Sequence, residues 1–148
     1  MAVPPTRPGL WRVVTEVTVK PPLAPEAKAL MKGVPGFDGK SVQQTCMTSE
    51  AVEWARKLEE RVRARKTPCS TSLKNTASSQ TTELVCPGAT TRSRTTWRGD
   101  THYEIEIYNR VTREGLHEDW THITGDFVKA DCGTIKPAPI PHIFDTLR

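Results

Sequence analysis

The stretch Leu10–Lys20, LWRVVTEVTVK, decides the fold of this chain. Every second residue from Trp11 to Val19 is apolar or β-branched, and most residues between them are polar or charged. Alternation with a period of two is typical of a strand that is buried on one face and solvated on the other. Pro21 and Pro22 follow at once and end the pattern, because proline lacks the N–H that a sheet requires. The sequence therefore predicts a long strand near the start of a sheet.

A second clean alternation runs from Thr101 to Tyr108, where Tyr103, Ile105 and Ile107 face one way. Shorter β-rich segments, separated by Pro, Gly and Asp turn signals, predict the other strands. These segments lie at 42–47, 84–86, 90–97, 116–124 and 127–130. Six or seven mostly sequential strands indicate a curved, mostly antiparallel sheet, with an incomplete barrel as the preferred geometry.

One main helix is predicted near residues 49–65. Ala51, Ala55, Leu58 and Val62 recur at helical spacing, and Thr48 or Ser49 can cap the first turn. A short helix over 25–32 is predicted as well. Together with the sheet these elements predict an α+β fold in which the helical stripe packs against inward residues such as Val17 and Ile105.

Length and composition bound the organisation of the chain. We expect an N-terminal extension over 1–8, one disulfide-stabilised α+β domain over 9–135 and a Pro-rich C-terminal tail over 136–148. The net charge of +4 is unevenly spread, since residues 1–99 hold 16 Lys and Arg against 8 Asp and Glu, whereas residues 100–131 hold 3 against 8. We expect no nucleic-acid partner, because the acidic part would repel phosphate, and no transmembrane segment, because apolar runs are too short.

The four cysteines predict two disulfides. A helix over 49–65 would separate Cys46 from Cys69 by roughly 25 Å, so that pair is disfavoured among the three possible connectivities. The polar stretch between Cys69 and Cys86 can fold back as a hairpin, which favours that pair and leaves Cys46 for Cys132. Structural disulfides indicate an oxidising compartment.

The order of several short motifs is similar to domain of unknown function family 3617. The matching segments are Pro8-Gly9-Leu10-Trp11, Cys46-Met47-Thr48, the pair Cys69 and Cys86, and Ala130-Asp131-Cys132-Gly133. The resemblance spans about residues 8–137 and implies a small exported bacterial protein with paired cysteines, periplasmic or secreted. The segment Met1-Ala2-Val3-Pro4-Pro5 has no basic start and no apolar h-region, so we expect a mature form whose signal peptide has been removed. The family implies no activity.

Two groups of residues are candidate sites. His102, Glu104, His117 and His122 lie on strands one hairpin apart and could bind Zn²⁺ or Cu²⁺. Solvated strand residues with no site are the simpler interpretation. Trp97 and Trp120 sit among polar residues and are candidate partner contacts.

Catalytic and cofactor motifs are not found in the sequence. It contains no Gly-x-Ser-x-Gly elbow, no Gly-rich phosphate loop and no Cys-x-x-Cys pair. We therefore expect a non-enzymatic, cofactor-free exported protein that binds an unknown envelope protein or small ligand. The alternatives are a periplasmic metal-binding protein and a carrier of an apolar ligand such as a lipid, held in the curved sheet.

Overall fold

Seven strands and two helices form the part of the chain that the structure, a computed structural model, describes: residues 3–37 and 39–137. In chain order the elements are β1 (Gly9–Lys20), α1 (Pro25–Leu30), β2 (Ser41–Met47), α2 (Ser49–Ala64), β3 (Ser70–Asn75), β4 (Ser79–Cys86), β5 (Ala89–Arg98), β6 (His102–Val111) and β7 (His117–Lys129). The predicted α+β class is confirmed.

All seven strands belong to one antiparallel sheet in the order β2-β1-β7-β6-β5-β4-β3. The last strand, β7, pairs with β1 along almost the whole length of β1, so the first and last strands lie side by side, next to edge strand β2. Short loops join each neighbouring pair from β3 to β7, which makes β3 to β7 a meander, whereas β1 and β2 are joined by a longer connection that contains α1. The sheet is open, with β2 and β3 as its edges.

The break predicted within the last strand does not occur. We expected Gly125-Asp126 to end one strand and a new one to start at Phe127, but β7 runs through this point without interruption. Gly125 pairs with Val13 on one side and Tyr103 on the other. A Cβ atom at Gly125 would lie 2.2 Å from Cζ of Tyr103. The glycine therefore makes room for an aromatic ring on the neighbouring strand and does not form a turn.

A cluster of aromatic rings forms the core on this face of the sheet. Trp11 is 1% exposed and packs against Tyr103 and Phe127, with ring centroids 5.4 and 5.8 Å away. Its indole Nε1–H donates to the backbone carbonyl of Arg7 at 2.8 Å, so the buried polar atom is satisfied. Ile105 is also buried. The prediction that these inward residues are core is consistent with this burial.

The main helix follows its prediction closely, but its last turn is solvated. Thr48 caps it by accepting a hydrogen bond from the backbone N–H of Ala51, which is buried. Val62 is 59% exposed, so the expectation that it packs against Val17 and Ile105 is wrong. The apolar stripe ends before the basic last turn, where charged side chains keep the helix in water.

Val17 is covered by a loop rather than by the main helix. Its backbone N–H donates to the carbonyl of Gly36 at 3.0 Å, and a Cβ atom built on Gly36 would lie 3.1 Å from a Val17 methyl group. In the described part of the chain, every pair of elements with extensive backbone contacts is a pair of neighbouring strands. The sheet, not a helix–sheet sandwich, therefore organises the fold.

Both disulfides connect the cysteines in the predicted pairs. Cys46 is bonded to Cys132, with Cα atoms 5.6 Å apart, and Cys69 to Cys86, with Cα atoms 4.3 Å apart. The first bridge joins edge strand β2 to the segment after β7. The second closes the β3–β4 hairpin at the opposite edge. Each edge of the open sheet thus carries a covalent anchor.

The described residues before β1 lie against the domain. The backbone N–H of Val3 donates to Oε2 of Glu59 at 3.0 Å, and Arg7 forms an ion pair with Asp100 at 3.2 Å. Of the predicted tail, Pro137 forms an isolated bridge with Cys46, and residues 138–148 lie outside the described residues. Within the described ranges, neither helix has the length and apolar character needed to cross a lipid bilayer.

Candidate functional site

The face of the sheet opposite the aromatic cluster carries ionisable side chains in rows that cross the strands. In one row, strand pairing places Glu16, His122, Glu106 and Arg94 side by side on β1, β7, β6 and β5. Directly opposite residues in an antiparallel sheet have Cβ atoms about 4.5–5.5 Å apart, so each can reach the next. The row therefore brings together residues that are distant in the sequence.

A cleft of about 480 Å³ is built on this face from five adjacent strands. The sheet must curve towards this side, because residues from β1 to β4 line one concavity. The lining residues are Glu16, Thr18, Thr81, Arg92, Ser93, Arg94, Glu106, Ile107, Tyr108, Trp120, Thr121 and His122. A smaller depression of about 190 Å³ adjoins it, lined by Arg94, Thr96, Glu104 and Glu106. A volume of this size suits a small molecule.

Two aromatic side chains form one wall of the cleft. Tyr108 and Trp120 are directly opposite in the strand register, and their ring centroids lie 5.3 Å apart. The Tyr108 hydroxyl donates to Oε2 of Glu118, and this hydrogen bond, with burial and the Glu118 charge, raises the pKa of Tyr108. The Nζ atom of Lys20 lies 5.5 Å from the Trp120 ring centroid. The wall is thus fixed from both sides and is neutral at physiological pH.

Three potential ligand groups cluster beside this wall. Glu104, Glu106 and His122 each offer a donor atom, and these atoms lie within 4.8 Å of one another. Nε2 of His122 lies 2.6 Å from Oε1 of Glu104, which is a hydrogen bond across β6 and β7. Imidazole and carboxylate groups at this spacing can bind a proton or a divalent cation.

Two charged side chains of the cleft make no bond to another side chain in the described part of the chain. Arg94 and Glu106 are directly opposite on β5 and β6, yet they form no ion pair or side-chain hydrogen bond with each other or with other described residues. Neighbouring Arg92 differs, since its Nε atom lies 2.6 Å from Oε2 of Glu83. Arg94 and Glu106 line both the cleft and the smaller depression. Their charges are therefore available to a ligand.

Comparison with known proteins places the chain in a family. The family described as proteins of unknown function, DUF3617, matches residues 6–132. The chain belongs to the DUF3617 family. The resemblance found in the sequence is thereby confirmed, and the two disulfides agree with its paired cysteines. Neither the curated proteins nor the solved structures contain a match.

The predicted site residues of this DUF3617 protein separate in the structure. Glu104 and His122 lie together, as described above. His102 lies on the same face but bonds to Asp126, with Nδ1 2.6 Å from Oδ1. His117 is exposed at the far end of β7, and its odd position in the strand places it on the opposite face from His122. The structure therefore does not bring His117 into the cluster.

The two candidate tryptophans also lie on opposite faces of the DUF3617 sheet. Trp120 lines the cleft and is 36% exposed, whereas Trp97 pairs with Tyr103 on the face of the aromatic cluster. Sequence reasoning missed Arg94 and Tyr108 as site residues. The alternation of Arg92 and Arg94 with Ser93 and Thr95 was a signal for the arginines, since it puts both on one strand face.

Proposed function

We propose that this protein is a non-enzymatic exported binding protein that holds a small polar ligand in the cleft on the ionisable face of its sheet. The observation that carries the proposal is the cleft itself, which combines an aromatic wall with Arg94 and Glu106, two charged side chains that form no ion pair or hydrogen bond with another described side chain. Binding sites typically combine apolar walls with a few polar groups that fix the orientation of the ligand. Two disulfides support a location in an oxidising compartment, the periplasm or the cell exterior.

The chemistry of the lining favours a polar ligand over a lipid. Six of the lining side chains are ionisable: Glu16, Arg92, Arg94, Glu106, Tyr108 and His122. Placing a lipid chain against them would remove their solvation without supplying hydrogen bonds, which is costly. The apolar face that a lipid carrier would use is occupied by the packed rings around Trp11.

Ligand-observed NMR can test the proposal with a mixture of small polar molecules. The mixture should contain neutral sugars, amino acids, carboxylic acids, amines and nucleosides. We expect wild type to give saturation transfer to at least one component, and we expect Trp120→Ala to lose it because the aromatic wall is removed. Trp97→Phe, on the opposite face, is the matched control and should bind like wild type. Signals that are equal in wild type and Trp120→Ala would place binding outside the cleft and overturn the proposal.

A second candidate function is binding of a divalent transition metal at the same face. Its specific support is the group of three donor atoms from Glu104, Glu106 and His122, all within 4.8 Å of one another. One imidazole and two carboxylates suit Zn²⁺, with a fourth position left for water or a ligand. Metal binding would compete with the Glu104–His122 hydrogen bond.

Thermal unfolding with and without ZnCl₂ distinguishes this candidate. If the cluster binds Zn²⁺, metal at about a hundred times its Kd stabilises the native state by roughly 2.7 kcal/mol. The melting temperature of wild type and of His117→Ala should then rise, whereas that of His122→Ala should not. A rise in all three proteins would place the metal elsewhere, and no rise in wild type would rule out this candidate.

A further inference from the structure

From the opposite charges of Arg94 and Glu106, which face each other beside the aromatic wall without forming an ion pair, we propose that the ligand of the cleft is a zwitterion with an aromatic or large apolar side chain: a free amino acid or a short peptide. This inference rests on the proposed function, because it assigns a chemical class to the same site. It follows from the placement of Arg94, Glu106, Tyr108 and Trp120.

Arg94 and Glu106 carry opposite charges on facing positions of β5 and β6. Opposite charges directly across an antiparallel pair of strands usually attract one another. Arg94 and Glu106 occupy such positions, and yet no bond joins them. Each keeps its full hydrogen-bonding capacity, five donors on the guanidinium and two acceptor oxygens on the carboxylate. The two groups therefore present adjacent positive and negative charges towards the same space.

A ligand that satisfies both groups must itself carry both signs of charge close together. An α-amino acid bears an ammonium and a carboxylate on the same carbon. Its carboxylate matches the planar guanidinium of Arg94, which can bind it through two parallel hydrogen bonds. Its ammonium matches Glu106, with Glu16 and His122 next in the row. A neutral sugar would leave both charges unpaired, and a simple acid or amine would satisfy one of them.

The aromatic wall defines the remaining group of the ligand. Tyr108 is two residues from Glu106 on β6, and Trp120 is two residues from His122 on β7, so both rings lie one row along the same face. A side chain attached to the zwitterionic carbon would extend towards them. Aromatic contacts of this kind contribute beyond the burial of area alone. The site therefore prefers phenylalanine-like compounds over glycine-like ones.

Isothermal titration calorimetry with three matched probes tests the class. The probes are L-phenylalanine, 2-phenylethylamine, which lacks the carboxylate, and 3-phenylpropanoate, which lacks the ammonium. EDTA in all solutions removes any contribution from metal at Glu104, Glu106 and His122. We expect wild type to bind L-phenylalanine roughly tenfold or more tightly than either of the other probes, since each lost charge-assisted bond weakens binding.

Two variants assign the charges. Arg94→Gln should lower the affinity for L-phenylalanine to that of wild type for 2-phenylethylamine, and the affinity for the amine should not change. Glu106→Gln should lower the affinity for L-phenylalanine to that of wild type for 3-phenylpropanoate, and the affinity for 3-phenylpropanoate should not change. Arg98→Gln, on the same strand and face but outside the cleft lining, is the matched control and should bind like wild type.

The outcomes separate failure of the class from failure of the cleft as a binding site. Equal affinity for the three probes, or no binding of L-phenylalanine by wild type, overturns the zwitterion assignment. If a neutral sugar then shows Trp120-dependent binding in the NMR mixture, the proposed function stands without this class. If L-phenylalanine binds but Trp120→Ala binds it equally well, both the class and the cleft are overturned.

Discussion

Gly125→Ala would test how the sheet accommodates the aromatic cluster. A methyl group at this position would lie 2.2 Å from Cζ and 2.3 Å from Cε1 of Tyr103. Carbon atoms in favourable contact are about 3.5–4.0 Å apart, so the ring or the strand must move by roughly 1.3 Å. The ring cannot move freely, because it packs against Trp11, which is 1% exposed.

The expected loss of stability follows from these contacts. Overfilling a packed site costs about 1–3 kcal/mol, and disturbing an aromatic pair costs about 0.5–1.5 kcal/mol more. We therefore expect Gly125→Ala to lower the free energy of unfolding by roughly 2–4 kcal/mol. At about 2–4 °C per kcal/mol, the melting temperature should fall by roughly 5–15 °C. Urea unfolding followed by circular dichroism gives the free energy directly.

The background Tyr103→Ala provides the control. Without the ring, a methyl group at residue 125 meets no clash, and Ala is favoured over Gly in a strand by about 0.5–1 kcal/mol. Gly125→Ala should then be neutral or slightly stabilising, which gives a large coupling energy in the double-mutant cycle. If Gly125→Ala lowers stability equally in both backgrounds, the backbone and not the Tyr103 ring requires glycine, and the explanation given for the uninterrupted β7 is wrong.

Three further predictions concern pH, the disulfides and the core. Burial, with a smaller contribution from the charge of Asp126, raises the pKa of Tyr103 above its ordinary 10.0. The stabilisation from the neutral hydroxyl is complete below the unfolded-state pKa and is lost as the pH rises towards the folded-state value. Between pH 9 and 11, the free energy of unfolding should therefore fall less in Tyr103→Phe than in wild type. Replacing the bridge Cys46–Cys132 by two serines should cost about 4–5 kcal/mol in urea unfolding, because the bridge closes a loop of 86 residues; a loss under 1 kcal/mol would contradict this. Ile105→Ala should cost about 2–5 kcal/mol in the same assay, and equal losses there and at exposed Val62 would show that Ile105 is not core.

Local patterns in the sequence predict the elements of this fold well. Alternation around Val17 and Ile105 defines β1 and β6, and the cap at Thr48 defines the start of α2, because each of these signals depends on neighbours in the chain. The prediction of a break in β7 at Gly125 was wrong, because glycine occurs both in turns and where another group packs closely against the backbone. Only the position of the Tyr103 ring on the neighbouring strand shows that Gly125 is of the second kind.

The candidate site could be predicted only in part, because it depends on strand register. Glu104 and His122 were singled out for their chemistry, and the pairing of β6 with β7 brings them together. The same pairing excludes His117, because an offset of one residue in a strand changes the face. Arg94 was missed because its role depends on pairing with Glu106 across β5 and β6, and no property of residues 90–97 alone indicates that pairing.

The two covalent anchors have a consequence for the chain in its reduced state. In the reduced state, edge strand β2 loses its bond to Cys132, and the β3–β4 hairpin at the other edge loses the bond between Cys69 and Cys86. Both edges of the sheet can then unfold locally, while the central strands keep their native pairing. Formation of the two disulfides would therefore hold both edges of the sheet in place and complete the native domain.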